Sequence, residues 1–234
     1  MSQSRLDTMP PTAGQVDPKS LSVAIDTPSV AVLVVIFTVE GNDLKALLIR
    51  RSAEPFKDHW SLPGGLLLPP ESLDEAAVRK LQDETGVTDV FLEQLYTFSN
   101  LDGRGSVAVA YFALVHHQQA RLARRQAWQP AWFSIAGLPE LAFANNTVID
   151  YALGRLRAKL DYSNVAYSLL PEEFSLSQLQ RVYEAILGRS LDKRNFRKRM
   201  LSLGIIAATG RAASEGAHRP AQLYAFHERR PIIF

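Results

Sequence analysis

The stretch GGLLLPPESLDEAAVRKLQDETGV, Gly64 to Val87, constrains this chain more than any other. A glycine turn leads through two prolines into LDEAAVRKLQDETG, which reads as one helix closed by Gly86. Positions 80, 83 and 84 are related by i, i+3 and i+4, so they share one helix face and can converge on one cation. Carboxylates gathered in that way hold a hard metal ion through oxygen, and Asp83 and Glu84 fit the scheme. Lys80 does not. An ammonium one turn before Glu84 removes an oxygen ligand, can pair with Asp83 or Glu84, and repels a divalent ion. Arg79 is spaced to orient Glu71 by a charge-assisted hydrogen bond.

The flanking sequence supplies a sheet. AVLVVIFTV and LKALLIRR are apolar, β-branched runs separated by EGND, a hairpin signal. HWSLPGG reads as a short strand ending in a glycine turn, and VTDVFLEQLYTFSN and SVAVAYFALV as further strands. AWFSIAGLPELAF then gives a strand and loop, and NTVIDYALGRLRAKL a helix with apolar positions at 148, 149, 152, 153, 156 and 160. Residues 1–25 are polar and broken by prolines, so they read as a mobile tail, and residues 26–160 as an α/β domain with a mixed sheet.

The remainder, residues 161–234, has a different pattern. PEEFSLSQLQRVYEAILG is a helix capped by Ser175 or Ser177 and closed by Gly188. A second helix, SLDKRNFRKRMLSLG, starts from Asp192 or Ser190, and GIIAATGRAASEGAHRPAQLYAF reads as two strands joined by a basic, glycine-rich loop. Helix, short turn, helix and hairpin is the winged-helix layout. Charge divides along the same line: residues 155–234 hold 14 Lys+Arg against 7 Asp+Glu, whereas the first 154 hold 12 against 17. The second module prefers a polyanion.

On the second of these helices Phe196, Met200 and Leu203 form the core stripe, with Arg194, Arg197 and Lys198 opposite and Lys193 and Arg199 at the borders. These cations can reach phosphates or guanine edges, and Asn195 adds a polar contact. From the hairpin loop, Arg211, His218 and Arg219 suit a phosphate backbone or minor groove. The chain has no cysteine, which excludes disulfides and thiolate metal sites, and its five histidines show no zinc-helix spacing; His116 and His117 form no catalytic pattern. No apolar run is long enough to span a bilayer and the N-terminus lacks a secretory signal, so a cytoplasmic location is expected, with no membrane partner.

Gly65, Glu71, Arg79, Leu81, Asp83, Glu84, Gly86 and Val87 match the Nudix box at every spacing, and the first module resembles that family. The resemblance implies a loop wrapped around a diphosphate-containing nucleotide and helix carboxylates that bind magnesium or manganese. Two positions depart from the family: Lys80 and Asp83 both stand where it has glutamate. The candidates for metal binding and catalysis are therefore reduced to Glu71, Asp83 and Glu84, and the expectation is a box that holds a ligand without catalysis, with no required cofactor and at most weakly held magnesium. Candidate ligand contacts are Gly64, Gly65, Arg79, Lys80 and Glu84, one of Arg50 and Arg51 on the ligand diphosphate, and Trp60, as pocket wall or as a stacking surface for adenine.

Together the two modules resemble the NrtR family of Nudix-related transcriptional regulators. The fold implied is α+β, a Nudix-like α/β/α sandwich with a mixed sheet followed by a winged helix-turn-helix domain. The resemblance further implies a homodimer that represses genes of NAD synthesis and salvage from a palindromic double-stranded operator and is released by ADP-ribose or a related nucleotide. Ala144 and Asn145 stand where that family has an Asp-His pair. Two other readings stay open: a magnesium-dependent pyrophosphatase acting on ADP-ribose or a dinucleotide, and a plain nucleic-acid-binding protein with a Nudix-shaped scaffold.

Overall fold

The computed structural model describes residues 29–86, 91–101, 103, 105–122, 128–213 and 220–234. The N-terminal tail, Val87, His218 and Arg219 lie outside them. The core begins with β1 (Val30–Glu40) and β2 (Asp43–Arg51), the antiparallel hairpin expected from EGND. Strand alternation divides β1 between two apolar layers. Val32, Val34 and Ile36 pack on Ala76, Ala77 and Leu81 of α1 (Leu73–Thr85). Val35, Phe37 and Val39 face the other way, toward Val148, Ile149, Ala152 and Leu156 of α2 (Asn145–Tyr162).

β1 and β2 are registered with each other only from Phe37 to Glu40, and beyond that they diverge. The fork is filled by β3 (Trp60–Ser61), paired with the end of β2, and β4 (Gly64–Leu66), paired with the start of β1. The glycine pair therefore continues as a strand, where the sequence suggests a turn. The reason is local: a Cβ on Gly64 would lie 2.6 Å from the Val32 carbonyl oxygen, so only a residue without a side chain can enter the fork. β6 (Val107–Leu114) lies parallel to β1 and antiparallel to β5 (Phe91–Ser99), and β7 (Trp128–Ser134) extends the sheet along β2. The sheet is mixed and sandwiched between helical layers.

The C-terminal module runs β8 (Phe174–Ser175), α3 (Leu176–Leu187), α4 (Lys193–Ser202), β9 (Ile206–Ala213) and β10 (Ala221–Phe226). Ser175 is the cap of α3: its hydroxyl accepts from the Gln178 N–H while Gln178 Oε1 accepts from the Ser175 N–H, a reciprocal capping box. Asp192 caps α4 through the Asn195 N–H. β8 adds a third strand that the sequence does not announce, since two residues carry no periodicity.

The modules share one apolar core. Leu169, Leu179, Val182 and Ile186 are continuous with the α2 side of the sheet. α2 itself runs past residue 160, to Tyr162, and bonds to both helices beyond it: Arg157 Nε donates to the Ile186 carbonyl, and Arg199 reaches Asp161 at 3.4 Å. Two clefts of about 330 and 480 Å³ lie along this seam. None of the described helices is long and apolar enough to cross a membrane.

Candidate functional site

The box helix α1 is fixed at both ends before any ligand arrives. Ser72 and Glu75 form a capping box at its start, and Gly86, in the left-handed region, closes it by donating to the Gln82 carbonyl. Its inner face buries Ala76, Ala77 and Leu81, which leaves Arg79, Lys80 and Asp83 partly exposed on the loop side and Glu84 buried.

Glu71 is committed to the loop. Its two oxygens accept from Arg79 Nη2 at 2.6 Å and Nε at 2.9 Å, and Oε1 also accepts from the Leu68 N–H. This bidentate pair is the one that the sequence spacing suggests. The Arg79 hydrogen bond, then the Leu68 N–H, and with them the charges of Arg79 and Lys80, hold the Glu71 carboxyl below its usual range.

Lys80 lies against the glycine strand. A Cβ built on Gly65 would come within 3.2 Å of both Lys80 Cε and Nζ, so the absent side chain at position 65 is the space the lysine terminus uses. Its charge reaches Glu71, as that of Asp83 reaches Arg79, and Lys80, Asp83 and Glu84 are all engaged in interactions. Among the described residues no three His, Asp or Glu side chains are grouped to hold a metal ion. A divalent metal does not fit the residues present: Glu71 is taken by Arg79, and an ammonium enters the carboxylate face.

The remaining box-side candidates are spread around the fork. Trp60 is half-buried and packs edge-to-face on Phe133, as a wall of the core. Arg50 is exposed and pairs with Asp58, whereas Arg51 donates to the Pro55 carbonyl and stacks its guanidinium 4.6 Å from the Phe143 ring. Burial lowers the Arg51 pKa. Neither arginine is held in a pair with the box carboxylates.

Asn145 has a role that the sequence hides. Buried at the start of α2, its Oδ1 accepts from the Leu62 N–H in the β3–β4 connection, so α2 is bonded to the link that leads into Gly64 and Gly65. Asn146 clamps the preceding loop through the Leu141 N–H and the Pro139 carbonyl. These partners lie up to 83 residues apart, beyond any local pattern.

The second site is α4. Phe196 and Met200 are buried and Leu203 is packed against the same core, which turns Lys193, Arg194, Asn195, Arg197 and Lys198 to solvent. Among the described residues no carboxylate pairs with Arg194, Arg197 or Lys198. Arg199 is different, being tied to Asp161 on α2. Arg211 belongs to strand β9, not to the hairpin loop, and pairs with Glu173 at 2.7 Å while its side chain stays largely exposed. Leu201, half-exposed on the same outward surface, was not singled out by sequence; an apolar side chain there can meet a thymine methyl. The α3–α4 turn is held by Glu184 Oε1, which accepts from the Leu191 N–H at 2.7 Å and from Gln180. Those bonds lower the Glu184 pKa.

Residues 27–151 match the NUDIX domain family and residues 166–226 the NrtR DNA-binding winged helix domain. The chain is 38% identical over 207 residues to the ADPR responsive transcriptional repressor NtrR of Acinetobacter baylyi, covering 86% of this chain and 82% of that protein. It is similar to the crystal structure of Shewanella oneidensis NrtR complexed with a 27mer DNA, with a TM-score of 0.75 and 36% identity over 84% of this chain and 93% of that one. The NUDIX domain of the same Shewanella protein, in a cocrystal with ADP ribose, aligns with a TM-score of 0.51 and 36% identity, over 60% of this chain and 94% of that one.

Proposed function

Because this chain belongs to the NrtR family of Nudix-related transcriptional regulators, we propose that it is an ADP-ribose-responsive repressor of NAD-metabolism genes. It acts in the cytoplasm as a homodimer on a palindromic operator. The observation that carries the reading is α4. Its apolar side is docked, and among the described residues Lys193, Arg194, Arg197 and Lys198 have no carboxylate partner, on the second helix of a winged helix whose relative was crystallised with DNA. Arg194, Arg197 and Lys198 are the principal DNA contacts, with Lys193, Asn195 and Arg211 at the margins.

Coupling to the nucleotide runs through α2. Its first residue is bonded to the strand connection beside the glycine pair, and its last turn reaches α4 through Asp161 and Arg199. A ligand seated over Gly65 and Lys80 acts on one end of that helix, and DNA acts on the helix bonded to the other. Differential affinity of about 1–3 kcal/mol between the two arrangements suffices for release.

The test is a gel shift on DNA upstream of NAD-metabolism genes, at stated salt, with and without ADP-ribose. The expected result is a specific complex that ADP-ribose dissolves. A specific complex indifferent to saturating ADP-ribose and related dinucleotides would sink the effector part. Magnesium-dependent release of AMP from ADP-ribose without specific DNA binding would replace the whole reading with the pyrophosphatase.

A further inference from the structure

The carboxylate face of α1 poses an electrostatic problem for any nucleotide diphosphate. Glu71 is bonded to Leu68 just past the glycine strand, Asp83 and Glu84 follow on the same helix as Lys80, whose terminus lies against Gly65, and a diphosphate brings further negative charge to that helix. A site of this kind normally needs a cation between the two sets of oxygens. A divalent ion does not fit the residues present, as set out above, and Arg79 is used in both its Nη2 and Nε donors by Glu71. Lys80 is different. Its terminus lies at Gly65, within contact distance of where a side chain would be, and its charge bears on Glu71.

From this we propose that Lys80 is the resident cation of the nucleotide site, standing in for a divalent metal, so that the site takes a diphosphate-bearing nucleotide without one. The inference rests on the ligand reading above and adds the means by which the site binds. The chemistry of an ammonium explains both what is kept and what is lost. It carries three donors, enough to serve a helix carboxylate and a phosphate oxygen together. It has one charge and no open coordination position, so it does not ionise a bound water as a metal does. The nucleotide is held intact. Gly65 is part of the device, because any side chain there meets the lysine terminus.

The experiment is calorimetric titration of ADP-ribose into the full chain, once in EDTA and once in millimolar magnesium. For the native protein the two affinities should agree within about twofold. Lys80→Gln should weaken binding about tenfold or more in both buffers, the scale of a lost charge-assisted hydrogen bond. Lys80→Glu should bind weakly in EDTA and recover with magnesium or manganese, and Lys80→Arg should keep metal-independent binding. Thermal melting of each variant shows that it is folded. Native binding that falls tenfold in EDTA and returns with magnesium overturns the role of Lys80 and leaves the repressor reading standing. So does native-like affinity in Lys80→Gln. Absence of ADP-ribose binding in both buffers overturns the ligand reading itself, and the role of Lys80 with it.

Discussion

Lys198→Ala is the most discriminating perturbation of the DNA-binding surface. Lys198 is exposed on the outward side of α4, near the centre of the cationic arc, and none of the described carboxylates pairs with it. Its removal should leave folding stability within about 0.5 kcal/mol, because it is an exposed side chain away from caps and core. What it removes is one phosphate contact for each bound copy. One such contact adds about 0.9 to the slope of log K against log salt, so the two copies of the proposed dimer on a palindrome would lose a slope of about 1.8. Between 50 and 200 mM salt that slope corresponds to roughly a twelvefold difference in how steeply binding decays. Fluorescence anisotropy of a labelled operator across a salt series reads the slope directly. Arg199→Ala is the internal comparison: Asp161 already neutralises that guanidinium, so its slope should change less. If Lys198→Ala leaves the slope unchanged, the outward face of α4 does not lie along the phosphate backbone, and the placement of the recognition surface is wrong.

Arg157→Ala removes the hydrogen bond from α2 to the Ile186 carbonyl, far from the glycine strand, and should leave ADP-ribose affinity intact while reducing ADP-ribose-induced operator release several-fold; unchanged release in the same anisotropy assay counts against α2 as the link. Ser175→Ala removes one half of the α3 capping box and should cost about 1 kcal/mol in urea unfolding, with Ser177→Ala near neutral as the control. His116 is buried beside His117 near the seam, and burial, then the charges of His117 and Arg229, lower its pKa below 6.5. The unfolded chain therefore takes up the proton first, so stability falls as pH drops from about 6.5 toward the folded-state value, and His116→Gln should flatten the melting-temperature profile in that window.

What was legible in the sequence was whatever repeats at short range. β1 shows itself as an apolar, β-branched run, α2 its core stripe through the positions from 148 to 160, and α1 its end through Gly86. The Glu71–Arg79 pair was legible because both residues border one loop and helix. The cationic face of α4 was legible because Phe196, Met200 and Leu203 fix which side turns inward. What escaped depends on segments distant in sequence. β4 takes the glycines into a strand because β1 and β2 diverge, a consequence of twist and register that neither strand announces. Asn145 finds its partner in Leu62, and Arg199 and Arg211 find carboxylates on other elements, so which candidate cations are left for a ligand was decided by packing. Arg50 and Arg51 illustrate the same limit: alternation separates them, but Asp58 and Phe143 determine what each one does.

The seam between the domains gives the proposed role of Lys80 its significance for regulation. α2 is 18 residues long, roughly 27 Å from end to end at helical rise. With its start bonded to the β3–β4 connection, a tilt of about 5° would move Asp161 by roughly 2 Å, the amplitude at which packed interfaces switch between alternatives. Two recognition helices reading half-sites about 34–36 Å apart tolerate little of that motion, because base and phosphate contacts are lost together. A site that hydrolysed its nucleotide would relax the tilt at the rate of the chemistry and report turnover. A site that holds the nucleotide on an ammonium reports concentration, since occupancy depends only on binding and release. On the proposed role of Lys80, it and the α2 linkage are parts of one requirement: the ligand must persist for its binding energy to act on the position of α4.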